Sequence, residues 1–246
     1  VKQERHHESL LIILVFVLGT CAKKWPRITL YSKPNQLGYT KCYPESASDL
    51  SLDNFDDTTS SVVQTGVWIF YENTNYNRDP GVVLFSYGIN AKFNIPAKHH
   101  GKISSIRLAS SHNEMDAISF YEGTEFTKKD LFTTKSLKDL NYLHNRISSM
   151  IVTGKMQWTI YSETGFNGHC LCLYSYESVG NANGDILHVG FYPTTYDFGP
   201  LDDSVKSVRL GCHCDRRPAV PDLGDAIIRP NGVMRMFSPA GDHCLH

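Results

Sequence analysis

"WTIYSETGFNG", Trp158–Gly168, carries the pattern on which the fold turns. Apolar and polar residues alternate into Tyr161, the period of a half-buried strand. A turn-rich stretch follows, with an aromatic five residues after the tyrosine (Phe166) and a glycine seven after it (Gly168). The same shape recurs as "ITLYSKPNQLG" from Ile28, "WIFYENTNYNR" from Trp68 and "ISFYEGTEFTK" from Ile118. The anchoring residues are Tyr31, Tyr71, Tyr121 and Tyr161, spaced by 40, 50 and 40 residues. Tyr76 and Phe126 repeat the aromatic and Gly38 repeats the glycine, whereas Gln36 replaces the first aromatic, and Arg78 and Lys128 replace two glycines.

Each copy closes on a second signal: "SSVVQTG" at Ser60, "SSIRLAS" at Ser104, "SSMIVTG" at Ser148 and "KSVRLG" at Lys206. These are short strands entered from a serine-bearing turn. One unit therefore reads as strand, folded hairpin, strand, long loop, strand. A unit of about 40 residues without helical periodicity cannot bury its own apolar face. Two such units packed face to face make a β-sandwich of antiparallel Greek keys. The spacing pairs units one with two and three with four, with a linker near "SSHNEMD", Ser110–Asp116. The expectation is an all-β chain with domains over 27–110 and 117–211, followed by a cysteine-containing tail, 212–246.

The pattern resembles the βγ-crystallin family over most of the chain, about Arg27 to Leu210. The Tyr-x(4)-aromatic-x-Gly hairpin and the serine-bearing loop carry that resemblance, four times in register. The resemblance implies two Greek-key sandwich domains, and in some members a calcium loop of the form Asx-Asx-x-x-Ser/Thr-Ser. "DDTTSS", Asp56–Ser61, fits that form at every position. Read locally, the stretch is also a good solvated turn, because Asp, Ser and Thr bond their own backbone. Calcium takes six to eight oxygens from carboxylates, hydroxyls and carbonyls. By resemblance, the Thr58 carbonyl and Ser60 hydroxyl would be ligands and Asp56 and Asp57 would hold the loop. Glu72 would reach across from the second unit.

The other three loops are eroded. "HGKISS" at His100 lacks both acids and carries Lys102, and "HNRISS" at His144 keeps only Asn145 beside Arg146. "DDSVKS" keeps Asp202 and Asp203, with Glu122 as a partner for a weaker second site, but places Lys206 where the ligand hydroxyl should stand. A fixed ammonium beside a cation site is repulsive.

Among 246 residues, 24 Lys and Arg nearly balance 25 Asp and Glu, so no bulk field points to nucleic acid or an anionic membrane. Residues 1–22 read as a secretory signal peptide, since the apolar run Leu10–Leu18 is far shorter than a membrane span. A lipoprotein site at "LGTC" is the alternative, against which Thr20 stands where a smaller residue is usual. Six cysteines follow, Cys42, Cys170, Cys172, Cys212, Cys214 and Cys244. Export favours disulfides among the last five. A Cys/His metal site with His213, His243 and His246 is the other reading. The bonds would tie the tail to the second domain, where it would add a strand pair or act as an interaction arm.

No nucleophile elbow, His-Glu-x-x-His or phosphate-cradling glycine loop occurs. The leading expectation is a secreted, non-enzymatic protein with a weak calcium site and calcium-modulated structural or binding roles outside the cell. The alternatives are an interaction or toxin-like subunit that binds a cell-surface or protein partner, and a passive, lens-like structural protein without a live calcium site. A homo-oligomer is compatible with each.

Overall fold

The computed structural model describes residues 26–110 and 116–237. The expected signal peptide, most of the expected linker, Cys244, His243 and His246 lie outside the described residues. The strands are β1 (Arg27–Lys33), β2 (Leu37–Tyr43), β3 (Ser61–Tyr71), β4 (Val83–Asn94) and β5 (Ser105–Leu108). They continue as β6 (Ala117–Tyr121), β7 (Asp130–Thr133), β8 (Ser149–Thr153), β9 (Trp158–Glu163) and β10 (Asn167–Leu173). The last five are β11 (Glu177–Gly180), β12 (Ile186–Tyr192), β13 (Ser207–Leu210), β14 (Ala226–Arg229) and β15 (Gly232–Phe237). Helical turns are short; Thr195–Leu201 is the longest among the described residues. Every strand pairing is antiparallel.

Each unit lends a strand to its neighbour's sheet, which is what makes the keys Greek. β3 pairs with β1 through Ser61–Thr65 and with β5 through Trp68–Tyr71, so one long strand closes the first unit and opens the second. The changeover lies at Gly66, where the β3–β4 register shifts and φ is +103°. A Cβ there would sit 2.8 Å from the Ser110 hydroxyl and from Pro26. Ala47, from the long loop of the first unit, bridges to Ile106 in the second, and Leu137 of the third bridges to Val208 in the fourth. β12 belongs to the fourth unit in sequence but pairs with β8 of the third.

Alternation along these strands separates three cores. Trp68, Phe70 and Leu84 face the first core together with Ile28, Leu30, Val62 and Phe93. Trp158, Ile160, Phe120, Met150 and Val208 fill the equivalent core of the second half. The third core lies between the halves. Val67, Ile69, Tyr71, Phe85 and Tyr87 from units one and two meet Tyr121, Phe126, Ile151, Val189 and Phe191. The second-unit sheet is thus buried on both faces, which is why "VWIFY" runs continuously apolar instead of alternating with polar residues.

The tail departs from the expectation. It does form a strand pair, but β15 pairs with β4 from Gly232↔Gly88 to Phe237↔Val83, on the first half of the chain and not the second. β4 presents an open edge, and the hairpin brings Val233 and Phe237 onto the third core. Phe237 stacks on Phe85 at 4.9 Å. The close approach at the start needs glycine, since a Cβ on Gly232 would lie 2.6 Å from the Tyr87 carbonyl. Arg235 pairs with Glu177 at 2.8 Å, and the Tyr87 hydroxyl donates to the same carboxylate.

Disulfides join Cys170 to Cys214 and Cys172 to Cys212. Alternation on β10 does put both sulfurs on one face, and the paired segment is held further by the Cys172 amide donating to the Arg216 carbonyl at 2.8 Å. Cys42 is disulfide-bonded as well.

Candidate calcium loop and the folded hairpins

Four equivalent contacts build the ends of the sandwich. The amides of Ser60, Ser104, Ser148 and Lys206 donate to the carbonyls of Tyr31, Tyr71, Tyr121 and Tyr161 at 2.8–3.0 Å. The next residue is serine in all four units. The hydroxyls of Ser61, Ser105, Ser149 and Ser207 donate to the carbonyls of Lys33, Asn73, Gly123 and Glu163 at 2.6–2.7 Å. Each also accepts an amide, from Gln36, Tyr76, Phe126 and Phe166 respectively. Those four residues have φ between 60° and 68°, a left-handed turn that the serine pins. The serine at this position of each closing signal is therefore a hairpin lock, whatever the loop binds.

The Asp56–Ser61 loop is held by backbone bonds to its neighbour. Asp57 N donates to the Ile103 carbonyl at 3.3 Å, and Gly101 N donates to the Thr59 carbonyl at 3.0 Å. The Thr58 hydroxyl donates to the Asp56 carbonyl at 2.8 Å, and the Ser104 hydroxyl reaches Asp57 Oδ1 at 3.4 Å. Asp56 Oδ1 is buried without a hydrogen-bond partner, as is the Thr59 hydroxyl. An orphan carboxylate oxygen fits a cation better than it fits a plain turn. Glu72 Oε2 accepts the Val82 amide of its own hairpin at 2.8 Å. Buried His99 lies close enough for Glu72 to influence it, and its pKa is held below the usual imidazole value. Burial is the main cause, Lys98 and Lys102 add to it, and Glu72 opposes. Among the described residues, no three His, Cys, Asp or Glu side chains group as a metal site.

Part of the loop pattern has a simpler cause. Asp57, Gly101, Asn145 and Asp203 occupy the same position in the four loops, with φ of 48°, 62°, 56° and 47°. Asx and Gly tolerate that left-handed backbone, so the position persists in loops that have lost every other acid. In the weaker candidate, Glu122 sits 3.5 Å from Arg146, and Asp203 is raised above the usual carboxylate range by burial and then by Asp202. The Arg146 guanidinium on Glu122 competes with a cation for that carboxylate, and Lys206 stands in the loop itself.

Arg107 was not singled out by its sequence. It is buried at the join of the halves, 3.7 Å over the Tyr76 ring, 3.2 Å from Asp130, and donates to the Lys128 carbonyl at 2.7 Å. The available signal was an arginine inside an otherwise apolar strand, "SIRL", mirrored by Arg209 in "SVRL", which lies 5.7 Å over Phe166.

The architecture defines a class: an all-β protein of paired Greek keys with serine-locked hairpins. No family model matches the chain. Beta-crystallin A1 of Mus musculus is 25% identical over 154 residues, covering 58% of this chain and 75% of the relative. Beta-crystallin A3 of Homo sapiens is 22% identical over 151 residues, covering 58% and 69%. The solved structure of Geodin, a βγ-crystallin from Geodia cydonium, superposes with a TM-score of 0.55 at 18% identity, covering 75% of this chain and 98% of that one. In sequence the chain is similar to these beta-crystallins, and its fold is that of the βγ-crystallins.

Proposed function

We infer that the fold serves a structural or calcium-binding protein in general. We propose that this one is a secreted, non-enzymatic two-domain protein whose Asp56–Ser61 loop takes one calcium ion and stiffens the first domain. The observation that carries the reading is the buried, unpartnered Asp56 Oδ1 in a loop free of bases. Asp56, the Thr58 carbonyl, the Ser60 hydroxyl and Glu72 would hold the ion, which would supply the positive charge that this oxygen lacks. Disulfides on Cys170, Cys172, Cys212, Cys214 and Cys42 support an oxidising compartment. No helix among the described residues is long and apolar enough to cross a membrane.

Calorimetric calcium titration tests it. A hydroxyl-rich loop in an extracellular module should bind with Kd of about 10⁻⁴–10⁻³ M. At ten times Kd the fold gains about 1.4 kcal/mol, a rise in melting temperature of about 3–6 °C. Ser60→Ala and Glu72→Gln should each abolish the rise, the latter keeping an acceptor for Val82. Equal responses of wild type and Ser60→Ala would leave a plain turn and a passive structural role. A second reading, docking to an extracellular protein or cell surface, draws on exposed Leu37, Tyr39 and Leu52.

A further inference from the structure

The repeat glycine seven residues after each tyrosine survives only in the outer units, as Gly38 and Gly168. Both inner units replace it with a base, Arg78 and Lys128. The fold brings these two positions into the lining of one cavity of about 420 Å³ at the seam, which Arg107, Lys129 and Asp130 also line. Lys128 takes the position with φ of 65°, the left-handed region that glycine occupies without strain. Its amide donates to the Tyr76 carbonyl at 3.1 Å, so the ammonium is carried on the seam itself.

The charges are unbalanced. Arg107 is neutralised by Asp130 at 3.2 Å. Among the described residues, Arg78, Lys128 and Lys129 have no carboxylate within ion-pair distance. A concave lining in which four bases face one acid, Asp130, focuses positive potential on an anion, and guanidinium and ammonium donors suit oxyanions. The Tyr142 ring, half exposed and fixed by its hydroxyl donating to the Asp130 carbonyl at 2.6 Å, adds an aromatic face. From this geometry we infer that the seam cavity binds a polyvalent oxyanion, sulfate or phosphate esters carried on a sugar-sized body. The inference does not depend on the calcium loop.

The test is titration calorimetry of the full chain with sucrose octasulfate and with inositol hexakisphosphate, at about 25 and about 150 mM salt. Binding of either probe, weakening with salt, is expected, and the two probes distinguish sulfate from phosphate esters. Lys128→Gly restores the glycine of the outer units, so its melting temperature should hold or rise while affinity falls about tenfold or more. Arg78→Gln should lose affinity similarly, and Lys92→Gln, an exposed lysine on β4, should not. Failure of wild type to bind either probe would overturn the inference. So would wild-type affinity in Lys128→Gly and Arg78→Gln, or equal loss in Lys92→Gln. Inorganic sulfate binding as tightly as the larger probes would overturn the sugar-sized ligand.

Discussion

Replacing Phe85 with alanine removes a ring from the core that joins the two halves. Phe85 is fully buried and meets Phe191 at 4.7 Å, Phe237 at 4.9 Å and Phe126 at 5.6 Å. Those three rings come from β12, the tail strand β15 and the third-unit hairpin, so the lost contacts run between segments distant in the chain. Truncating a buried phenylalanine typically costs about 3–5 kcal/mol, transfer and cavity terms together. For a chain of this length that lowers the melting temperature by roughly 6–20 °C. Differential scanning calorimetry is the assay, with Phe70→Ala as comparison, since Phe70 faces the core within the first half. Wild type should unfold in one transition, because neither inner sheet is covered without the other. Phe85→Ala should broaden or split that transition, whereas Phe70→Ala should chiefly destabilise the first half. Two independent wild-type transitions, with Phe85→Ala shifting neither by more than about 2 °C, would refute the shared-core argument.

Ser149→Ala deletes a hydroxyl that donates to the Gly123 carbonyl at 2.6 Å and accepts the Phe126 amide at 2.9 Å, and should cost about 2–3 kcal/mol in urea unfolding. His99 has a folded pKa below its ordinary 6.5, chiefly from burial. The unfolded chain therefore takes the proton first, so stability is full above about pH 6.5 and falls as pH drops towards the folded value. His99→Gln should flatten that part of the stability–pH curve measured by thermal melts. Reducing both C-terminal disulfides removes a cross-link spanning 44 residues, worth about 4 kcal/mol in the chain-entropy treatment, and should lower the melting temperature accordingly.

The sequence by itself determined the repeat, and with it the all-β class, because the hairpin is a local object. A strand of period two, a left-handed turn and a serine that locks it are specified within a few dozen residues. Tyr31, Tyr71, Tyr121 and Tyr161 mark four such objects, and Ser61, Ser105, Ser149 and Ser207 close them. Cys170 and Cys172 were legible as a one-faced pair for the same reason, alternation on a single strand. Which partners those elements take was decided only by the tertiary structure. The apolar run at Val67–Tyr71 shows that a strand is buried on both faces but not what covers the second face. That answer needed Phe191 and Phe237, 120 or more residues away. Arg107 read as one polar residue in a strand until the fold set Tyr76 and Asp130 around it. The tail hairpin has strand propensity but no periodicity that names β4 as its neighbour, because an open sheet edge offers only backbone groups, and backbone groups leave no mark in a sequence.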